Sequence, residues 1–185
     1  MTYGRIMRLR AMLSGGSLSI GKRPKMPYLP RFRWRSGCIR IGDRISMGCG
    51  VVVDAQTGLI EIGDFVSLND YTVLLGQGGI KIGNDVRIAA HVVIASFDHG
   101  IASLDQPIRA QPVVKKPVVI EDDVWIGAGA KILGGSHLRQ GCVIGANAVV
   151  KGSTVPNGIY VGVPARLLRL RDDGSPTGMT DASDC

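Results

Sequence analysis

The chain has 185 residues, a formal net charge of +7 and 45% hydrophobic residues, a size that fits one domain with a sizeable core. No apolar run approaches the roughly 18 residues of a membrane-spanning helix, and the N-terminus lacks the apolar core of a signal peptide. The four cysteines show neither C-x-x-C spacing nor a paired framework, so we expect a protein of the reducing cytoplasm.

Residues 1–40 carry ten Lys or Arg and no acidic residue, whereas the rest of the chain has twelve basic and fifteen acidic residues. We expect this segment to form a basic cap that begins with a short helix over residues 1–16. Apolar residues such as Ile6 and Leu9 are interleaved with its arginines. Two roles therefore stay open: a solvated or subunit-packed cap, and peripheral contact with an anionic membrane. Nucleic-acid binding is not expected, because the slightly acidic body offers no groove-reading element.

Aliphatic residues then recur every six positions, in five sets of three. A period of six fits three strand residues plus a turn, so three hexads close one triangular coil with one apolar side chain per edge pointing inward. A single coil cannot bury its own apolar edges, so several must stack, about 4.8 Å apart. The predicted inward residues are Ile41, Met47, Val53, Ile62, Leu68, Leu74, Ile82, Ile88, Ile94, Ile120, Ile126, Ile132, Leu138, Ile144 and Val150.

Two details of the repeat lead to further expectations. The glycines that follow an inward residue, such as Gly42 and Gly63, are expected to supply turn backbone angles. Ile20 precedes Ile41 by the same 21 residues that separate Ile41 from Ile62, which predicts an incomplete earlier coil.

The repeat breaks once, where residues 97–117 leave the third complete coil as a long loop. Long irregular loops in compact domains are more often functional than ornamental. The loop begins with Phe97, Asp98 and His99, and an imidazole that titrates near neutral pH can act as a general base. Asp98 is a candidate to orient that ring or to contact substrate, although adjacent residues of an extended segment point to opposite sides.

The coils end near residue 162, which makes residues 41–162 the predicted β-helix domain. Residues 163–171 are expected to form a short C-terminal helix. The Asp-, Gly- and Ser-rich residues 172–185 are expected to be a disordered tail.

Residues 60–170 resemble the sugar O-acetyltransferase branch of the hexapeptide-repeat acyltransferases, which includes the maltose and galactoside acetyltransferases. The similarity is most specific at residues 118–127 (VVIEDDVWIG) and 162–166 (GVPAR). The overall plan is also similar to acetyltransferases of exopolysaccharide, colanic acid and lipopolysaccharide assembly. The resemblance implies an all-β, left-handed parallel β-helix, and transfer from acetyl-CoA to a sugar hydroxyl with no metal required. It also implies a homotrimer whose active sites need two subunits.

By the same resemblance, His99 is the catalytic base and Asn69 binds the acceptor sugar. Sugar-specific relatives carry an acidic residue shortly after this asparagine, but residues 75–77 are Leu-Gly-Gln here, so a small galactoside or glucoside is not the expected acceptor. The coenzyme A tunnel between subunits is implied to be lined by Trp125, Gly127, Ala128, Ala146, Lys151, Gly152 and Arg169.

Simpler interpretations stay open beside these. Asn69 fits a turn residue, Trp125 fits packing on the flank, and the basic residues fit surface charge. N-acetylation of an amino-sugar nucleotide is the main alternative activity, and a non-catalytic scaffold is another. A γ-type carbonic anhydrase is disfavoured, because His91, His99 and His137 include no close pair of the kind that holds zinc.

Overall fold

The computed structural model describes residues 15–171, so most of the helix expected at residues 1–16, and the tail at 172–185, lie outside the described residues. Short strands recur throughout this range, and no helix among these residues has the length and hydropathy to span a membrane. In chain order the strands are β1 (Ser17–Ile20), β2 (Arg31–Arg33), β3 (Cys38–Ile41), β4 (Ser46–Met47), β5 (Val52–Asp54), β6 (Leu59–Ile62), β7 (Ser67–Leu68), β8 (Val73–Leu75), β9 (Ile80–Ile82), β10 (Arg87–Ile88), β11 (Val93–Ala95), β12 (Phe97–His99), β13 (Val113–Lys115), β14 (Val118–Ile120), β15 (Trp125–Ile126), β16 (Lys131–Ile132), β17 (His137–Leu138), β18 (Val143–Ile144), β19 (Val149–Val150), β20 (Gly158–Val161) and β21 (Arg166–Leu170), and a 3₁₀ turn spans Ile108–Ala110.

All of these strands except β12 and β13 form three sheets, which are the faces of a triangular prism. The first face has the order β1-β3-β6-β9-β14-β17, the second β21-β20-β18-β15-β10-β7-β4, and the third β19-β16-β11-β8-β5-β2. The chain visits the faces in turn, and from β1 to β20 each strand of a face pairs in parallel with the strand one turn away, as Ile41 does with Ile62. Six strands on the first face correspond to about six turns. The predicted all-β parallel β-helix is confirmed, and its geometry is consistent with a left-handed coil.

All fifteen residues predicted to point inward are buried, with exposures between 0% and 5%, in one continuous core. Burying an aliphatic side chain contributes about 1.5–3 kcal/mol, so each added turn strengthens the prism. Buried hydroxyls are satisfied between turns: Thr72 donates to the Ala89 carbonyl at 3.2 Å and Ser136 to the Val150 carbonyl at 3.2 Å. The core therefore has few polar costs to offset.

The chain forms one more turn than the five complete coils that were predicted. On the first face β1 pairs with β3, and Ile20 lies opposite Ile41 as its spacing predicts. Lys25 bridges to Ser46 on the second face, and β2 pairs with β5 on the third. The predicted cap segment 1–40 therefore contains a full turn of the prism.

The corner between the first and second faces, here called the ladder corner, is closed by side-chain oxygens. At each turn a backbone N–H donates to a side-chain oxygen of the next turn. The Asp43 N–H donates to Asp64 Oδ1 (2.7 Å), the Asp64 N–H to Asn84 Oδ1 (2.8 Å) and the Asn84 N–H to Asp122 Oδ1 (2.7 Å). Gly63 precedes Asp64, and a Cβ built on it would lie 2.5 Å from Asn84 Oδ1. The glycine is needed because two turns approach closely here.

This finding corrects the expectation for the glycines of the repeat. Gly42 and Gly63 do not adopt positive φ angles. Instead, the residues two positions later do, with φ of 54° at Arg44 and 57° at Phe65. These two left-handed residues lie on successive turns, and the Arg44 guanidinium lies 4.9 Å above the Phe65 ring, a favourable cation–π distance.

The short helix predicted for residues 163–171 is wrong. Residues Arg166–Leu170 form β21, which pairs antiparallel with β20 from Val161↔Arg166 to Gly158↔Leu170. The edge strand β20 offers unpaired backbone groups that a returning segment can satisfy. An isolated helix this short carries a nucleation cost that few internal hydrogen bonds offset. Arg171 then ties the return to the prism by donating to Asp123 Oδ2 at 2.8 Å.

Candidate active site

The insertion leaves the prism at the corner that joins the third face to the first, here called the loop corner. Ser96 follows β11 and is fully buried. Its hydroxyl donates to the Leu75 carbonyl at 3.1 Å and accepts the Gly78 N–H at 2.9 Å. At the returning end, Lys116 donates its backbone N–H to the Ser96 carbonyl at 2.8 Å. Both ends of the insertion are therefore fixed to each other and to the prism.

His99 lies on a hairpin just outside this corner. β12 pairs antiparallel with β13, which places His99 opposite Val113. Gly100 donates to the Pro112 carbonyl at 3.0 Å, and a Cβ on Gly100 would lie 2.6 Å from that oxygen. Phe97 meets the imidazole edge to face, with 6.4 Å between ring centroids. The imidazole is therefore exposed, yet held on a paired strand.

Gln111 holds the distal part of the loop. Its buried side chain donates to the carbonyls of Ser103 (2.9 Å) and Gln106 (3.2 Å), and its Oε1 accepts the Ser103 N–H at 3.1 Å. A buried amide whose hydrogen bonds are satisfied specifies one local arrangement. This side chain therefore orders the loop over residues 103–111.

Asp98 does not pair with His99. Successive strand residues point to opposite sides, and the Asp98 carboxylate contacts Lys116, with 2.5 Å between Oδ2 and Nζ. Within residues 15–171, the His99 imidazole makes no hydrogen bond. A group that orients this ring during a reaction would therefore come from a bound ligand, from another copy of the chain, or from residues outside 15–171.

A cavity of about 560 Å³ opens beside the imidazole. It combines one ionisable base, one ion pair and an apolar wall. The lining residues are Asp98, His99, Gly100, Ile101, Ala102, Ile108, Val114 and Lys116.

Asn69 lies elsewhere, at the corner between the second and third faces, here called the Asn69 corner. Its Nδ2 donates to the Ile88 carbonyl at 3.0 Å, a contact that fits the turn role left open above and leaves Oδ1 as an acceptor. One face of about five extended residues, at roughly 3.3 Å per residue, separates it from the loop corner. A single chain therefore does not bring Asn69 and His99 together.

Two aromatic rings stand beside Asn69. The Tyr71 and His91 rings stack with 5.2 Å between centroids and 13° between planes. Both residues have φ near 60°, on successive turns of the same corner. The Asn69 corner is thus a rigid, ring-bearing edge.

The residues implied to bind coenzyme A fall into separate groups. Ala128 and Ala146 are exposed at the Asn69 corner, next to Trp125, which is 55% exposed on the second face. Gly127 is buried, and a Cβ on it would lie 2.7 Å from the Ala146 nitrogen, so it serves the close approach of two turns.

The basic members of that set lie apart from these alanines. Lys151 and Gly152 follow β19 at the loop corner, whereas Arg169 lies on β21 at the edge of the second face. Within one chain the structure therefore does not gather the seven residues into one pocket.

One electrostatic cluster lies on the first face beyond the insertion. Glu121 accepts the Gln140 backbone N–H at 2.8 Å, and it contacts His137 Nε2 at 2.7 Å and Arg139 Nη1 at 3.1 Å. The Gln140 N–H, followed by the two side chains, lowers the pKa of Glu121 below its ordinary value. Burial raises the pKa of the Cys142 thiol nearby. Among the described residues, no three His, Cys, Asp or Glu side chains cluster as a metal site.

Comparison with known proteins identifies the family. The family model described as "Bacterial transferase hexapeptide (six repeats)" matches residues 117–152. WbbJ of Escherichia coli K12, described as a "Putative lipopolysaccharide biosynthesis O-acetyl transferase", is 32% identical over 148 residues, which cover 76% of this chain and 76% of WbbJ. The chain belongs to the bacterial hexapeptide-repeat transferase family.

Two further comparisons bear on this hexapeptide-repeat chain. A probable acetyltransferase of Mycobacterium tuberculosis is 31% identical over 179 residues, or 91% of this chain, but the chain spans only 56% of that protein. The solved structure of a mutant of AntD, an N-acyltransferase from Bacillus cereus in complex with dTDP-4-amino-4,6-dideoxyglucose and coenzyme A, superimposes with a TM-score of 0.71. It is 22% identical and covers 88% of each chain, so this likeness concerns the fold alone.

Sequence reasoning missed three residues that shape the site in this hexapeptide-repeat protein. Lys116 pairs with Asp98, Ser96 anchors the loop, and Gln111 orders its far end. The sequence did not reveal that β12 and β13 pair as a hairpin, which brings these residues together. A signal was available in their positions, because Ser96 directly precedes the interruption of the hexads and Lys116 lies at its end.

Proposed function

We propose that the chain transfers an acetyl group from acetyl-CoA to a saccharide hydroxyl in cell-surface polysaccharide or lipopolysaccharide biosynthesis. His99 removes the hydroxyl proton while the oxygen attacks the thioester carbonyl carbon. The tetrahedral intermediate, stabilised by backbone N–H groups, then collapses as the C–S bond breaks. The leaving thiolate takes up the proton from His99, directly or through solvent. One displacement therefore forms the ester without an acyl-enzyme.

The observation that carries this proposal is the position of His99. The imidazole stands on a clamped hairpin at the wall of a 560 Å³ cavity, at the one interruption of a hexapeptide-repeat prism. A general base needs an exposed ring that is nevertheless held in place. The fixed ends of the insertion at Ser96 and Lys116 supply that restraint.

Charge supports an acyl-CoA donor bound along the later turns. Residues 124–171 contain no acidic residue, and the phosphates of coenzyme A favour such a surface. In this proposal Lys151 and Arg169 contact phosphates, while Trp125 packs against the donor. Ala128, Ala146 and Gly152 offer backbone groups, and Gly127 holds two turns close together. The basic residues of this region are Lys131, Arg139, Lys151, Arg166, Arg169 and Arg171.

The division of the site between corners supports assembly of several copies. Asn69, proposed to bind the acceptor, lies one face away from His99, and Asp98 is proposed to contact the same acceptor. The loop also exposes Leu104 fully, at 97%, and Ile101 at 71%, apolar surface that a partner would cover. We therefore propose a homotrimer in which the loop corner of one copy meets the Asn69 corner of the next.

The proposed acceptor rests on the similarity to WbbJ and on residues 75–77, and the proposed location rests on the supply of acyl-CoA. WbbJ is assigned to lipopolysaccharide biosynthesis, and the Leu-Gly-Gln at residues 75–77 provides no acidic group for a small sugar. A larger or lipid-linked saccharide is therefore proposed. We place the reaction on the cytoplasmic side of the membrane, where acyl-CoA is available.

His99→Ala tests the proposal in the purified full chain. The assay measures release of free coenzyme A from acetyl-CoA, with nucleotide sugars, free sugars and lipid-linked saccharides tested as acceptors. The rate of release should fall about 10²–10⁴-fold in the variant. Acetyl-CoA binding by isothermal titration calorimetry should be unchanged. His137→Gln is the matched control, because His137 contacts Glu121 away from the cavity, and it should keep most of the rate. An unaffected rate in His99→Ala would exclude His99 as the base.

N-acylation of an amino sugar is the second candidate, favoured by the fold that the chain shares with AntD. The product distinguishes the two. An O-acetyl ester is cleaved by alkaline hydroxylamine, whereas an amide survives. Absence of any acetyl-CoA binding would instead favour a non-catalytic scaffold.

A further inference from the structure

We propose that the first turn of the prism docks onto an anionic lipid membrane. This turn, residues 17–35, is here called the terminal coil, and it closes the end of the prism opposite β20 and β21. The proposal goes beyond acyl transfer and does not depend on the acyl group or the acceptor.

The charge of the terminal coil is of one sign and is spread over two of its faces and two of its corners. Its six cations are all exposed, and it contains no acidic residue. They occur at the ladder corner, on the second face, on the third face and at the loop corner. They are Lys22, Arg23, Lys25, Arg31, Arg33 and Arg35.

Few carboxylates neutralise these cations. Among the described residues, the ion pair that these cations form joins Arg33 Nη1 to Asp54 Oδ2 of the next turn, at 4.0 Å, whereas Asp43 accepts the backbone N–H of Lys22. The far end of the prism is also basic, and there Arg171 donates to the Asp123 carboxylate and to the Gly141 carbonyl. The terminal coil, with six exposed cations, presents the larger positive surface.

Exposed apolar side chains lie between Lys25 of the second face and Arg31 of the third. Tyr28 is 59% exposed and Leu29 67% exposed, and they stand side by side between Pro27 and Pro30. A membrane interface accepts an aromatic ring and an aliphatic chain below the headgroups, while cations bind anionic lipid. A soluble polyanion such as a nucleic acid or an acidic glycan has no comparable use for Leu29. The combination therefore favours a lipid surface.

Vesicle flotation of the full chain tests the proposal. The protein should float with vesicles of 30% phosphatidylglycerol in phosphatidylcholine at about 50 mM NaCl. It should not float with pure phosphatidylcholine, and high salt should release it. Each cation near the surface contributes about fivefold to binding. The triple variant Lys22→Gln/Lys25→Gln/Arg31→Gln should therefore bind about 100-fold more weakly.

Matched variants locate the surface. Lys81→Gln/Arg87→Gln/Lys115→Gln removes the same charge from the body of the prism and should retain binding. Leu29→Ser should weaken vesicle binding several-fold and leave binding to dextran sulfate unchanged. Circular dichroism confirms folding, and Leu29→Ser alone decides the test if the triple variant does not fold.

Four results would overturn the proposal. The first is wild-type protein that does not float with anionic vesicles, and the second is a triple variant that binds like wild type. The third is vesicle binding abolished by Arg166→Gln/Leu168→Ser, which would assign the contact to the opposite end. Equal loss of vesicle and dextran sulfate binding in Leu29→Ser would also count against a lipid surface.

Discussion

The close approach of turns at the ladder corner predicts that Gly63→Ala is costly although it adds only a methyl group. The new Cβ would lie 2.5 Å from Asn84 Oδ1 and 2.6 Å from the Gly83 carbonyl oxygen. Relief requires loss of the Asp64 N–H bond to Asn84 Oδ1, about 1 kcal/mol, and separation of two turns, about 1–3 kcal/mol. Reduced freedom of the unfolded chain returns about 0.4–1 kcal/mol. We expect a net loss of about 2–3 kcal/mol in the free energy of unfolding.

Gly135→Ala is the matched control, because its cost has a different origin. Gly135 has φ of 83° and no heavy atom within 4 Å of a built Cβ, so only the left-handed backbone angle opposes alanine, by about 1–2 kcal/mol. The reduced freedom of the unfolded chain again offsets part of this cost, which leaves a net loss of about 1 kcal/mol in the free energy of unfolding. The double variant Gly63→Ala/Asn84→Ala should be about 1 kcal/mol more stable than the sum of its single variants, because Oδ1 is gone.

Urea unfolding followed by circular dichroism, at one fixed protein concentration because association adds stability, measures all four variants. Equal losses in Gly63→Ala and Gly135→Ala would refute the close-approach explanation. Strict additivity in the double variant would show that Asn84 Oδ1 is not the atom that opposes the methyl group.

Three further predictions concern charge and burial. The lowered pKa of Glu121 gives stability that is complete above its ordinary value of 4.5 and is lost as pH falls through the lowered pKa. Glu121→Gln should therefore flatten the acid limb of a stability–pH curve, and an unchanged limb would contradict this. Cys142 is buried and its pKa is raised, so Ellman's reagent at pH 8 should modify it only after denaturation, as a Cys142→Ala comparison would show. Asp98→Asn and Lys116→Gln break one surface ion pair, so each should change the free energy of unfolding by less than about 1 kcal/mol. A larger loss in urea would indicate a deeper structural role.

The spacing of the hexads was enough to predict the core, because the local backbone alone decides how often a side chain points inward. Every residue from Ile41 to Val150 at a predicted inward position is buried for this reason. The role of Gly63 was not predictable in the same way, since it depends on an oxygen one turn away. The spacing of Asp43, Asp64 and Asn84 at 21 and 20 residues was a signal for the ladder.

Of the residues that line the cavity, the sequence analysis named His99 and Asp98, whose roles in a reaction stay predictions. The contacts of these two residues depend on how the insertion folds. The hairpin sets Asp98 beside Lys116, which is 18 residues away, and no local pattern encodes that distance. The wrong helix at residues 163–171 has a similar cause, because the free edge of β20 determines the strand. Long-range pairing decided both outcomes.

The prism constrains how any reaction can use both Asn69 and His99. Their corners bound opposite edges of the third face, and the strands between them are hydrogen-bonded to the turns on either side. No bending of one chain can fold that face upon itself without breaking these ladders. The two residues meet only when the loop corner of one copy faces the Asn69 corner of another. Because each copy offers both corners, the contact is heterologous, and it must close into a ring if filaments are to be avoided. A closed ring of three copies, the homotrimer proposed above, satisfies this requirement.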